Sequence, residues 1–161
     1  MLRLCTIKDE FIDYLRKIDS KVLSNKQGKR PYVGVVCIIS DTKYYVPLMS
    51  PKPKHITMSN TKDFHKISGG LYGAINFNNM LPVIDEVIIE LDPNKEPDEK
   101  YRLLLQNQYL QLLQIKNVLE KKAKAVYSLF LKDDLTENEK RIKARCCDFL
   151  LLEEKVKDYA S

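Results

Sequence analysis

Tyr32-Val33-Gly34-Val35-Val36-Cys37-Ile38-Ile39-Ser40, then Asp41-Thr42, then Lys43-Tyr44-Tyr45-Val46-Pro47-Leu48 is the stretch that decides the fold. The first run is rich in Val and Ile, residues that suit a pleated, packed surface. The second begins directly after the tight turn Ser40-Asp41-Thr42. Two such runs across a short polar turn predict an antiparallel hairpin. Pro31, just before the first run, opens a β-rich region.

Outward from the hairpin, Arg3–Ile7 reads as a short strand. Lys8–Asp19 places Phe11, Ile12, Leu15 and Ile18 on one face of a helix. Ser24–Lys29 is polar, contains Gly and reads as a loop. On the other side, Met49–Thr61 carries Pro51 and Pro53, two lysines, Ser, His and Asn, the composition of a long exposed loop. Phe64–Ile67, Leu71–Phe77 and Val83–Leu91 read as further short strands, with Gly69-Gly70 a turn between the first two. Pro82 is expected to interrupt that ladder, since it has no amide proton to donate. Beyond Pro97 the apolar residues recur at three- and four-residue steps: Tyr101, Leu104, Leu105, Gln108, Tyr109, Leu112, Ile115 and Leu119, continuing through Val126 and Phe130. Thr136-Glu137-Asn138-Glu139 has the form of a capping box that restarts a helix. Ile142, Cys146, Phe149, Leu150 and Val156 give that last helix one apolar face. The expectation is an α+β chain, a small and mostly antiparallel sheet with a helical C-terminal third, forming a single domain over residues 1–161.

Composition narrows the function. The 161 residues are 44% hydrophobic and 30% charged, an ordinary globule rather than a disordered chain. Apolar runs such as Val33–Ile39 fall far short of the roughly 18 residues a membrane span needs. The N-terminus lacks the apolar core of a signal peptide, so a cytoplasmic location is expected. Five glycines argue against a Gly-rich nucleotide cradle, and no P-loop, Ser-His-Asp triad or glycosidase-like carboxylate pair is readable. Cys5, Cys37, Cys146 and Cys147 show no CxxC spacing and read as reduced, buried thiols. His55 and His65 complete no zinc-finger pattern. Neither a metal nor another cofactor is expected. Net charge is +5, yet residues 21–66 alone hold nine basic and two acidic side chains, a local +7. Residues 67–161 sum to −2. A field concentrated in this way suits a polyanion such as RNA or DNA.

The chemistry-bearing segment is Tyr45-Val46-Pro47-Leu48-Met49-Ser50-Pro51-Lys52-Pro53-Lys54-His55. A strand runs out into a Pro-stiffened loop bearing a hydroxyl, two lysines and an imidazole. Lysines neutralise phosphate oxygens, and Ser or His handles a proton. Lys29-Arg30 sets a second cationic pair at the start of a strand, where Arg suits bidentate phosphate contact. His55 is read as loop-borne and His65 as a structural histidine in a strand. Tyr32, Tyr44, Tyr45, Phe64 and Tyr72 are interspersed with the basic residues and offer rings for bases to stack on, or rings for the core.

In their order along the chain, several segments together resemble one family, the ToxN/AbiQ/CptN endoribonuclease toxins of type III toxin–antitoxin systems. They are Cys5-Thr6-Ile7, Pro31-Tyr32-Val33-Gly34-Val35-Val36, Tyr45 to Lys52, Leu71-Tyr72-Gly73-Ala74-Ile75-Asn76-Phe77-Asn78-Asn79-Met80-Leu81-Pro82-Val83, Tyr101 to Gln108, and Cys147 to Lys155. The resemblance implies a β-barrel-like core of the Kid/MazF kind. It implies metal-independent RNA cleavage leaving a 2′,3′-cyclic phosphate and a 5′-hydroxyl. It also implies inhibition by a small repetitive pseudoknotted RNA, processed by the toxin and held in a closed ring. The family's catalytic Ser matches Ser50, its Lys matches Lys52, and the basic residue before the second strand matches Arg30. A threonine common before the serine is Met49 here. His55 is the candidate acid or base. Lys29, Tyr32, Tyr45, Lys54, Lys62 and Lys66 are the candidate RNA contacts. A non-catalytic nucleic-acid-binding module and a protein-interaction domain built on the C-terminal helices are the competing readings.

Overall fold

The hairpin forms as read. In the computed structural model, which describes residues 2–161, β1 (Arg3–Ile7) and α1 (Asp9–Ile18) precede β2 (Tyr32–Ile39) and β3 (Thr42–Met49). Ser40 and Asp41 join the two strands with φ of 48° and 68°. Two left-handed residues in a row make the turn whose twist matches the flanking strands. The register runs Ile39↔Thr42 to Cys37↔Tyr44, slips at a bulge, and resumes at Gly34↔Tyr45. Gly34 is required there, because any Cβ would overlap the Tyr45 ring.

The chain continues through α2 (Pro53–Thr57), β4 (Phe64–Lys66), β5 (Ala74–Asn76), β6 (Leu81–Pro82) and β7 (Ile88–Glu90). Helices α3 (Glu99–Gln114), α4 (Lys116–Leu131), α5 (Glu137–Arg145) and α6 (Phe149–Ala160) follow. The sheet order is β4-β5-β3-β2-β1-β7, with β6 paired to β3. It is antiparallel throughout and open, which corrects the barrel expectation. Closure needs the outer strands to pair, but β4 and β7 are three residues each. Side chains serve the β4 edge instead: Lys122 Nζ donates to the Thr61 and Phe64 carbonyls at 2.8 and 3.1 Å.

Other expectations shift in detail. Pro82 does not end the ladder; it pairs with Tyr44 at an edge of β3, where no amide proton is needed. The expected strands Phe64–Ile67, Leu71–Phe77 and Val83–Leu91 shorten to Phe64–Lys66, Ala74–Asn76 and Ile88–Glu90. The long helical run breaks at Ile115, and the last one breaks at Cys146–Asp148, where the Asp148 carboxylate accepts the Leu151 amide at 3.2 Å. Leu150, expected on the apolar face, is consequently exposed, and Leu152 is buried instead. Thr136 and Glu139 form the capping box as read. Helix α4 packs on β2, and α6 on β6. Between them Tyr44, Tyr127, Phe130 and Phe149 form a cluster with ring centres 5.0 to 5.9 Å apart. The Tyr44 hydroxyl donates to Glu153. All four cysteines are free and buried. Burial pushes each thiol up to about 12. Among the described residues no helix is long and apolar enough to cross a membrane.

Candidate active site

The hairpin register assembles the site. Tyr32 faces Pro47, and the Leu48 amide donates to the Pro31 carbonyl at 3.0 Å. One further step along the pair sets Arg30 beside Met49, so the basic loop entering β2 meets the Ser50 loop leaving β3. On its other edge β3 pairs Met49 with Ala74, which sets Gly73 beside Ser50.

Two glycines hold the Ser50 loop from behind. A Cβ at Gly73 (φ 91°) would overlap the Met49 carbonyl oxygen. A Cβ at Gly70 (φ 96°) would lie 2.7 Å from the His55 carbonyl oxygen. Backbone thus lies on backbone, leaving Ser50, Lys52 and Lys54 exposed. The segment after Ser50 is not all loop: Pro53 starts the short helix α2, since its fixed φ suits a first turn.

His55 differs most from expectation. It is 0% exposed. Its Nδ1 accepts the Lys52 amide at 3.2 Å, capping α2 and fixing the backbone that carries Lys52. Its Nε2 is buried without a partner. Burial first, then Lys54 and Lys52, lower its pKa. His55, expected on a loop, is instead a fully buried side chain whose Nδ1 holds the backbone of Lys52.

Arg30 is nearly buried, and its Nε donates to the Ser24 carbonyl at 2.6 Å. It has no acidic partner among the described residues. Burial lowers its pKa, as expected for a cation held without a counter-charge. Lys26, which the sequence reading passed over, belongs to the same cluster. Arg30, then partial burial, then Lys52 depress it. Its loop has φ of 48°, 58° and 78° at Lys26, Gln27 and Gly28. Asn25 fixes that loop by donating to the Ile7 carbonyl and to Asp9, both at 2.7 Å. The signal for Lys26 was its place in the loop leading to Arg30, readable only once the register was known.

The rings do not serve as expected. Tyr32 and Tyr45 are both 0% exposed, so neither is an RNA contact. Gly34 makes room for the Tyr45 ring, and its hydroxyl accepts from Arg3 at 3.2 Å. Lys29 and Lys54 are exposed and unpaired among the described residues. Lys62 pairs with Glu139 at 3.6 Å, and Lys66 Nζ reaches the Ile56 carbonyl at 3.4 Å. His65 is half-buried in β4, its pKa lowered by burial and Lys122. Among the described residues no three His, Cys, Asp or Glu side chains gather as metal ligands would.

An exposed hydroxyl beside cations that lack counter-charges among the described residues has the chemistry to meet an anion. The profile of the family described as Toxin ToxN, type III toxin-antitoxin system, matches residues 3–157. The chain belongs to the ToxN family. It is 36% identical over 159 residues to endoribonuclease ToxN of Bacillus thuringiensis subsp. kurstaki, covering 96% of this chain and 82% of that one. It is 32% identical over 171 residues to endoribonuclease AbiQ of Lactococcus lactis subsp. lactis, covering 99% and 90%. Among solved structures, one concerning selective inhibition of a type III toxin by a non-coding RNA pseudoknot superposes with a TM-score of 0.87 at 33% identity, over 99% of this chain and 98% of that one. The structure of AbiQ, a lactococcal anti-phage endoribonuclease, superposes with a TM-score of 0.81 at 29% identity, over 99% and 98%. The ToxN-family assignment thus spans the whole Ser50 neighbourhood.

Proposed function

We propose that this chain is the endoribonuclease toxin of a type III toxin–antitoxin system, with Ser50, Lys52 and Arg30 as its catalytic residues. The observation that carries this reading is the exposed Ser50, next to the Met49 that the hairpin register sets beside Arg30 and two residues before Lys52, with Arg30, Lys52 and Lys26 lacking acidic partners among the described residues. In the proposed reaction the ribose 2′-oxygen forms a bond to the adjacent phosphorus while the bond to the 5′-oxygen breaks. One proton leaves the 2′-hydroxyl and one reaches the departing 5′-oxygen, so the step balances without water. Lys52 and Arg30 stabilise the added negative charge, preorganised by His55 and by the Ser24 carbonyl. Ser50 donates to a phosphate oxygen or relays the proton. Lys26, Lys29 and Lys54 hold flanking phosphates.

The proposed inhibitor is a small repetitive pseudoknotted RNA, cut by the toxin from a tandem-repeat precursor and held with it in a closed ring. The solved relative inhibited by an RNA pseudoknot supports the RNA partner. Cellular or phage RNA in the cytoplasm is the proposed target, giving growth arrest and abortive infection. The whole chain, 1–161, acts as one domain. The deciding experiment incubates the purified protein with mixed RNA in EDTA and maps the new ends. Cyclic phosphate and 5′-hydroxyl ends are expected, with a DNA analogue left intact. Ser50→Ala and Lys52→Ala should each lower the rate about 10²- to 10³-fold without lowering the melting temperature. Cleavage lost in EDTA and restored by Mg²⁺ would overturn the metal-free step, and undiminished cleavage by Ser50→Ala would remove Ser50 from it.

A further inference from the structure

Beside the Ser50 loop lies a groove of about 380 Å³ that the proposed reaction leaves unused. Met58 and Phe64 form its apolar wall, and Asp63, Asn76, Asn78 and Arg145 supply its polar groups. Asn76 ties it to the site: its Nδ2 contacts Met49 Sδ at 2.9 Å, one residue before Ser50. Asp63 is buried, and its carboxylate accepts from Arg145 Nε and Nη2 at 3.0 to 3.2 Å and from Thr61 Oγ1 at 3.1 Å. Three bonds to Asp63 fix the half-exposed guanidinium, while Nη1 donates to no protein atom among the described residues. Asn76 Oδ1 likewise accepts from no described donor. Asn78 Nδ2 reaches the Arg145 carbonyl at 3.3 Å, joining β5 and its following turn to the end of α5.

The charge of this groove differs from that of the cutting loop. Arg30, Lys52 and Lys26 lack counter-ions among the described residues and suit a phosphate, whereas Arg145 is neutralised by Asp63. A neutral, partly apolar slot with one free planar donor and one free amide oxygen suits an uncharged heteroaromatic ring. We propose that this groove receives one unpaired nucleobase of the RNA next to the cut, and that Arg145 and Asn76 read its edge. The proposal rests on the endoribonuclease reading of the Ser50 loop. It makes base preference at one position a property of β5 and α5 rather than of the cationic loops.

The test uses short RNAs spanning a mapped cut, each with an abasic ribose at one position, and wild-type, Asn76→Ala and Arg145→Lys proteins. Arg145→Lys keeps a cation for Asp63 while removing the fork. In wild type, one abasic position should lower kcat/KM about tenfold or more. The same substitution should cost either variant less than about twofold, because the contact is already gone. Equal losses in all three proteins at every position would overturn the proposal, as would a position sensitive to a neutral backbone linkage but not to loss of the base. Should a variant fail to fold, Ser50→Ala protein bound to RNA with a photoreactive base at the sensitive position gives a second readout. Crosslinks to Met58 or Phe64 are expected, and crosslinks confined to other segments overturn the proposal. Undiminished cutting by Ser50→Ala would instead count against the parent reading, so the two failures are distinct.

Discussion

At the scale of single residues, His55 and Tyr45 show how side chains divide between building the site and meeting RNA. Because burial and two lysines lower the His55 pKa, the unfolded chain binds more protons than the native one below the ordinary histidine value. Stability is then full above about pH 6.5 and falls as pH drops toward the lowered value. His65, lowered by burial and Lys122, adds to the same slope. His55→Asn keeps an acceptor for the Lys52 amide but cannot titrate, so its melting temperature should depend less on pH between about 7 and 5 while cleavage persists. An unchanged slope would show that His55 takes up its proton in the folded protein as readily as in the unfolded chain, so that its pKa is not lowered. Tyr45→Ala should cost about 3–5 kcal/mol in urea denaturation, as loss of a large buried side chain does, and should weaken RNA binding only by unfolding the protein. The exposed residues were readable: Pro51 and Pro53 stiffen a loop with little to bury, so Ser50, Lys52 and Lys54 point to water. The rings were not. Adjacent strand residues face opposite sides of a sheet, and Tyr44 and Tyr45 are both fully buried, so both faces are covered there. Alternation in a sequence does not reveal that second cover.

At the scale of elements, the turn Ser68–Gly73 governs the Ser50 loop. A methyl group at Gly69 (φ 63°) would meet nothing within 4 Å, whereas one at Gly73 (φ 91°) would run into the Met49 carbonyl oxygen. Both positions carry left-handed strain, about 1–2 kcal/mol for a side chain. Gly69→Ala should therefore cost about that much in urea denaturation and leave cleavage intact. Gly73→Ala must also displace β3 at Ser50, so it should cost more and abolish cleavage. Equal stability losses in the two variants would show that the close approach to Met49 is not the constraint. The sequence reading identified Gly69-Gly70 as a turn and missed what lies under it, since a backbone-to-backbone approach between segments about twenty residues apart leaves no local periodicity. Helix α2 was missed for a related reason. Its five residues are too few for an apolar repeat, and it is fixed by the bond from the Lys52 amide to His55 rather than by propensity. Where the signal is local it held, as with the Thr136–Glu139 box, whose Thr136→Ala variant should lose about 1 kcal/mol.

At the scale of the whole molecule, charge is sorted by topology. The +7 of residues 21–66 was visible in the sequence, but its focusing required the hairpin, which folds the loop before β2 against the loop after β3. Elsewhere several cations are matched: Lys43 with Asp85, Lys62 and Lys132 with Glu139, Lys140 with Glu137, Arg145 with Asp63. Unmatched cations release counter-ions when they take phosphates, and matched ones release fewer, so the two classes should differ in salt dependence more than in affinity at one salt concentration. Each phosphate neutralised contributes about −0.7 to the slope of log affinity against log salt for single strands. Replacing Lys26, Lys29 and Lys54 by Ala together should make the slope for an inhibitory RNA shallower by about 2, if each holds one phosphate. Replacing Lys140 and Lys143 should leave it close to wild type, because Lys140 is paired and Lys143 lies over the Phe130 ring at 5.2 Å. Cleavage should weaken in the first variant together with inhibition, since both RNAs would cross the same loops. A triple variant with the wild-type slope would place the inhibitory RNA on the helical third, and cleavage could then be lost while inhibitor binding survived.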